Sequence, residues 1–465
     1  MITKSKIKMI TKTKTKTKTK TKTKTKTKTK LKIIPKPRKA RFEVAVVGLG
    51  YVGIPLSLGF AKAGCRTLGF DANSERILQL RQGKSPFPHI SSSELLGALS
   101  DETLEFTMDR DLLAESEAII ICVPTPLRQH QDPDLSYILG VAEEIAPHLR
   151  HGMLVSLESS TYPGTTREEF RAILEQHSGL KAGTDFHLVY SPEREDPGNS
   201  LSKLRKIPKV IGGLTPECLE RAKELYGKAV DEIIPVRNCD TAEAVKLTEN
   251  IFRYTNIALV NELKSIYAQL GIDIWEVLEA AKTKPFGFMP FYPGAGVGGH
   301  CIPVDPYYLT WKAKEFNIDC RFIELAGQIN RSMPSYVANH LLDAMNDDGN
   351  SIHGNAVLVI GVAYKPNVSD DRESQSYLIM DILEHKGAEV DYYDPHVLSI
   401  PANRGQWSGR KSISWNRLEL GHYAAAVVCT AHHGVEYGLL ADLIPLIVDA
   451  CNVVPKDRKA RVISA

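Results

Sequence analysis

The chain has 465 residues, 43% hydrophobic and 24% charged, a balance that suits a globular protein with an ample core and about three domains. Its formal charge of +3 conceals two opposite parts, because residues 1–41 hold 18 Lys or Arg and no acid, which leaves 40 basic against 55 acidic groups in the rest. An acidic body argues against nucleic-acid binding, and neither an apolar run of roughly 18 residues nor a secretory h-region is present, so a cytoplasmic location away from membranes is expected.

Residues 11–30 are ten Thr-Lys dipeptides. With no apolar surface to bury, residues 1–40 read as a disordered tail. Order is expected from a strand at 41–47, which runs directly into Gly48-Leu49-Gly50-Tyr51-Val52-Gly53. A helix over 54–64 and a strand over 66–70 follow, closed by Asp71. Buried-type strands at 118–123, 153–157, 187–190 and 209–211 alternate with helical patterns, which predicts a parallel sheet covered on both faces. These elements make a first domain over 41–215.

The next strong signal is a helix from Asp240 to about Leu270. Asp240 and Glu243 have capping-box spacing, and Gly271 is placed to end the helix. A rod of about 30 residues is near 45 Å long, long enough to join domains or subunits. Residues 216–330 are therefore read as a central helical region for dimerisation and the active site, and a homodimer is expected. A strand at 356–360, a helix at 374–386 and strands at 389–393, 424–429 and 446–449 give a second such domain over 331–465. The expected fold is α/β: two doubly wound Rossmann-like domains joined by a long central helix and a helical dimerisation region.

Three stretches carry chemistry. In Gly48-x-Gly50-x-x-Gly53, the first glycine makes the tight turn, the second lets backbone approach a pyrophosphate, and the third allows close helix–strand packing. Strand–turn–helix context and an acid 18 residues beyond Gly53 complete a dinucleotide fingerprint. Asp71 would bond the ribose diol and repel a 2′-phosphate, favouring NAD. In the second stretch, Pro293 to Pro306, four glycines precede Cys301 and Asp305 lies four residues beyond it. Cys301 is a candidate nucleophile if its pKa is lowered, and inert packing is the alternative. The eight cysteines form no C-x-x-C pair, so neither the common zinc spacings nor a disulfide framework is expected, and no metal site is assigned. On the long helix, Lys246 and Asn250 are i, i+4 and share a face, although a solvated Lys is the ordinary reading.

The glycine-rich Cys loop, the Lys246/Asn250 helix and Gly361-Val362-Ala363-Tyr364-Lys365-Pro366-Asn367-Val368-Ser369-Asp370-Asp371-Arg372-Glu373-Ser374 together resemble the UDP-glucose/GDP-mannose dehydrogenase family from about residue 42 to 455. The resemblance implies a UDP-sugar substrate, oxidation at C6 and a UDP-uronic acid product used for a surface polysaccharide. It implies that Cys301 forms a thiohemiacetal and thioester, that Lys246 and Asn250 stabilise the oxyanion, and that Asp305 and Thr161 guide water. Glu193 resembles the active-site acid, although Arg194-Glu195-Asp196 replaces the usual aromatic and aliphatic residues after it. The implied cofactor set is Gly48, Gly50, Tyr51, Val52, Gly53, Asp71, Arg76, Thr125 and Thr161. The implied substrate set is Glu193, Arg194, Lys246, Asn250, Tyr292, Gly298, Lys365 and Arg372. Val304 stands where UDP-glucose enzymes have Lys, and the stretches 285–293 and 308–313 look most like members acting on UDP-N-acetylglucosamine. UDP-glucose oxidation is the alternative within the class. A nucleotide-sugar-binding regulator is the alternative outside it, against which Cys301, Lys246, Asn250 and Asp305 together argue.

Overall fold

A computed structural model describes residues 40–465 apart from 88–89, 129–130, 196–203, 300 and 417–419. The expected tail, except Ala40, lies outside the described residues, as do Asp196 and His300. The first sheet holds β1 (Val44–Val47), β2 (Thr67–Phe70), β3 (Leu104–Thr107), β4 (Ala118–Ile121), β5 (Leu154–Leu157), β6 (His187–Tyr190), β7 (Lys209–Gly213) and β8 (Ile233–Val236). Its order is β3-β2-β1-β4-β5-β6-β7-β8. All pairings are parallel except β6 with β7, which is antiparallel. β1, β2, β4 and β5 are buried on both faces, which explains their near-continuous apolar runs. Strand order reverses between β1 and β4, so a crevice opens above their carboxyl ends, where ligands bind in such sheets.

The second sheet, β9 (Ala356–Ile360), β10 (Glu389–Tyr393), β11 (Ala425–Val428), β12 (Leu446–Asp449) and β13 (Arg461–Ser464), is wholly parallel in the order β10-β9-β11-β12-β13. Between the sheets run two long helices, Cys239–Gln269 and Arg321–Asp347. They pack through Tyr254, Ala258, Ile323 and Ala326, and Asn261 donates to Asn330 across the seam at 3.1 Å.

Three expectations are corrected. The break after residue 215 is absent, because helix Pro216–Tyr226 leads to β8, which pairs with β7 in the first sheet. The break at 330 falls inside helix Arg321–Asp347. The capping box is also absent: Asn238 caps the long helix, accepting from the Thr241 N–H at 2.9 Å, and Glu243 is buried elsewhere.

Candidate active site

β1 delivers the chain to Gly48 at φ +94°, where a Cβ would lie 2.8 Å from the Cys122 carbonyl oxygen. At Gly53 a Cβ would sit 1.9 Å from the Gly48 oxygen, whereas at Gly50 it would meet nothing within 4 Å. Two glycines are thus demanded by the protein's own backbone, and the third leaves an open approach. Helix Gly53–Lys62 begins at Val52 with no side-chain cap and no acid in its first turn, so its N–H groups and positive dipole end suit a phosphate. Asp71 follows β2. Its Oδ2 accepts from the Leu49 N–H at 2.8 Å and from Arg76 at 3.2 Å, and its Oδ1 accepts from the Asn73 N–H at 2.8 Å. The acid therefore steadies the glycine turn as well as the crevice floor. Thr125 and Thr161, just beyond β4 and β5, are buried. This arrangement fits a dinucleotide, whose pyrophosphate Gly50 and the uncapped helix end would meet and whose ribose Asp71 would meet.

The long helix presents Lys246 and Asn250 on one face. Lys246 Nζ donates to the Glu193 carbonyl oxygen at 2.6 Å, and Asn250 Nδ2 donates to Asp305 Oδ2 at 2.5 Å. The Asp305 N–H donates to the Cys301 carbonyl oxygen at 2.8 Å, so the Cys301 backbone, the Asp305 carboxyl and the Asn250 amide form one connected group. Asp305 is fully buried, and among the described residues its Oδ1 has no hydrogen-bond partner. Burial pushes its carboxyl up to about 6, against Lys246, Asn250 and Ser160, which pull it down. Burial and the Asp305 charge also push the Cys301 thiol up, while Lys246, Arg372 and Arg253 pull it down. The net shift is upward, so the condition set for an activated thiol, a lowered pKa, is not met by the surroundings of Cys301.

The Cys loop is held from two sides. Asn261 Oδ1, on the long helix, accepts from the Gly294 N–H at 3.0 Å. From the second domain, Tyr364 packs so closely that a Cβ at Gly298 or Gly299 would lie 2.8 Å from its side chain. The Gly299 N–H donates to the Arg372 carbonyl oxygen at 3.0 Å, and Gln375 donates to the Val297 carbonyl at 2.8 Å. Gly298 is therefore fixed by packing on Tyr364. The Arg372 guanidinium pairs with Asp370 at 2.6 Å and lies 4.8 Å over the Tyr51 ring, bringing the loop that follows β9 against the glycine turn of the first domain. Lys365 Nζ lies 5.7 Å from the Tyr364 ring.

Two expected substrate residues are turned elsewhere. Arg194 pairs with Glu249 at 2.6 Å and donates to the Pro208 carbonyl at 2.7 Å. Tyr292 stacks on Trp275 and donates to Glu279 at 3.0 Å. Glu193 sits beneath the site, its Oε1 accepting from the Arg194 and Glu195 N–H groups at 2.6 Å each. Burial would push its carboxyl up, but Lys209, those N–H groups and Lys246 hold it below the usual range.

Sequence reasoning missed the buried group behind Glu193. Lys209 Nζ donates to Glu158 at 2.7 Å and lies 3.4 Å from Glu193, and Tyr226 donates to Glu158. Burial would lower the Lys209 ammonium pKa, but the two carboxylates raise it. A lysine opening an otherwise buried strand is the signal that could have exposed this cluster. Nothing in the local sequence marks Asn261, and nothing local gives the partners of Tyr364 or Glu243, because those partners lie far along the chain.

Family models match all three parts of the chain: the NAD binding domain of the UDP-glucose/GDP-mannose dehydrogenase family over residues 42–230, its central domain over 240–332 and its UDP binding domain over 358–456. A UDP-N-acetyl-D-glucosamine 6-dehydrogenase of Pseudomonas aeruginosa is 41% identical over 357 residues, covering 76% of this chain and 83% of that protein. Its counterpart of the same name in Salmonella typhi is 36% identical, covering 84% and 90%. A UDP-D-ManNAc dehydrogenase structure from Pyrococcus horikoshii superposes with a TM-score of 0.82 at 33% identity, covering 90% of this chain and 98% of that one. The chain belongs to the UDP-glucose/GDP-mannose dehydrogenase family, NAD-dependent enzymes that oxidise nucleotide sugars.

Proposed function

We propose that the protein oxidises C6 of UDP-N-acetylglucosamine from alcohol to carboxylate through a covalent adduct on Cys301. The observation that carries this reading is that Asn250 donates to Asp305, which is tied to the Cys301 carbonyl, while the Lys246 charge acts on both Asp305 and Cys301. Two NAD molecules bound in turn would each accept one hydride; the remaining work is done by the chain. The C6 hydroxyl proton leaves to solvent as the first hydride departs; the Cys301 sulfur then adds to the aldehyde carbon, and its proton passes through Asp305 to solvent, which leaves the carboxylate free again. Lys246 and Asn250 hold the resulting oxyanion, aid worth roughly 3–4 kcal/mol per donor. Loss of the second C6 hydrogen as hydride leaves a thioester. Water beside Thr161 gives a proton to Asp305 and attacks, the departing thiolate takes that proton back from Asp305, and the acid loses its own proton to solvent and is released as the uronate.

The P. aeruginosa and S. typhi relatives support the glucosamine configuration, and the P. horikoshii relative supports a second reading, UDP-N-acetylmannosamine. NADH formation with UDP-N-acetylglucosamine, UDP-N-acetylmannosamine and UDP-glucose separates them. The highest kcat/KM is expected with UDP-N-acetylglucosamine. A preference for the manno epimer would move the assignment to the second reading, a preference for UDP-glucose would remove the acetamido assignment, and no NADH with any sugar would overturn the function.

The same reading includes a homodimer. Phe252, Leu259 and Ile266 on the long helix and Leu270 at its end are exposed apolar residues, as are Phe322 and Leu325 on the neighbouring helix. Exposed apolar side chains of this kind suit a two-fold interface. Light scattering should find twice the chain mass, and a 51.5 kDa species at micromolar concentration would contradict it.

A further inference from the structure

Glu243 takes no part in capping its own helix. It is fully buried, and its three partners are neutral groups of a distant loop. Its Oε2 accepts from the Gly164 N–H at 2.7 Å, and its Oε1 accepts from the Thr166 N–H at 2.9 Å and the Thr166 hydroxyl at 2.7 Å. These donors open a helical stretch, Thr166–Phe170 continuing as Arg171–Ser178, whose start has no side-chain cap of its own. Orphan N–H groups and a positive dipole end are what a carboxyl oxygen satisfies at such a place. Glu243 thus caps another segment's helix from across the domain.

The capped turn carries Thr161. Thr161 Oγ1 donates to Thr165 Oγ1 at 2.6 Å, and Thr165 Oγ1 donates to the Tyr162 carbonyl at 2.9 Å. Gly164, between them, stands at φ +106°, so the turn has one backbone shape that a side chain would strain. Along the long helix, Glu243, Lys246 and Asn250 are at i, i+3 and i+7, one face over two turns. A single rigid rod therefore carries both the oxyanion donors and the pin that holds the Thr161 turn.

We propose that Glu243 is a positioning residue for the hydrolytic step: by tying the Gly164–Thr166 turn to the long helix, it sets the Thr161 hydroxyl relative to Lys246, Asn250 and Asp305. The inference rests on the function proposed above, in which Thr161 guides water onto the thioester. Glu243→Gln keeps the shape but sets an amide N–H against a backbone N–H. It should lower kcat on the order of tenfold to hundredfold while leaving both KM values for bound ligands no higher than in the wild type. A rapid burst of two NADH per active site should precede the slow steady state. The double variant with Thr161→Ala should fall no further than the worse single variant, since residues acting as one unit are not additive. A merely structural role would instead lower the melting temperature and the burst size with kcat per active site unchanged, and that result, or additive losses, would overturn the proposal. If Glu243→Gln does not fold, Thr166→Val removes one donor of three and should give the same burst with a smaller fall in kcat; an unchanged kcat overturns the proposal. A wild type that makes no NADH from any UDP-sugar would remove the function itself, whereas an active wild type with an unaltered Glu243→Gln would remove this inference alone.

Discussion

Cys301→Ala should lose roughly four to six orders of magnitude in turnover, the usual cost of deleting a covalent nucleophile, while still binding the UDP-sugar in calorimetry. The site's logic depends on sulfur at one point. An aldehyde has no leaving hydride until a nucleophile has added to it, so without the thiol the second oxidation lacks its intermediate. Cys301→Ser discriminates further. Its hydroxyl can add, and the ester so formed should persist, because an alkoxide leaves less readily than a thiolate. Mass spectrometry of that variant after incubation with NAD and sugar should find the adduct. Near-normal turnover in Cys301→Ala would remove the covalent route.

Asp305→Asn should also cost about two to four orders of magnitude, the range for general acid–base catalysis, and its signature lies in pH. The wild-type carboxyl is pushed up to about 6 by burial, so activity should rise through pH 6 as the base is unmasked, and this limb should vanish in Asp305→Asn. Stability should move the opposite way. A carboxyl whose folded pKa lies above its unfolded value of about 3.9 favours folding when protonated. Its ionisation therefore costs nothing below pH 4, costs progressively more between about pH 4 and 6, and costs a constant amount of about 3 kcal/mol above that. Asp305→Asn should accordingly melt higher than the wild type at pH 7.5, with the gap closing by pH 4. Equal gaps at both pH values would show that the buried carboxylate is not strained by its site.

The parts of the site legible in the sequence are those where backbone or helix geometry restricts the residue. Gly48 and Gly53 are demanded by atoms of their own turn, so the fingerprint and the fold it opens can be read locally. Lys246 and Asn250 share a face by period alone. The three strands that went unread, β3, β8 and β13, are edge strands. β8, Ile233-Ile234-Pro235-Val236, and β13 are largely half-buried or exposed, which erases the buried-strand pattern. Helix Arg321–Asp347 was hidden by Pro334 in its interior, a residue that normally ends a helix. Long-range partners were the least legible. Glu243 has local capping spacing, yet its donors lie nearly 80 residues earlier, and only tertiary packing chooses between the two.

The central claim is that one site carries a single sugar through both oxidations without releasing the aldehyde. The most direct measurement is the ratio of NADH formed to UDP-sugar consumed, taken to completion with limiting sugar and an aldehyde trap present. Two NADH per sugar, one uronate and no trapped aldehyde is the predicted result. One NADH per sugar with the aldehyde recovered in the trap would contradict it.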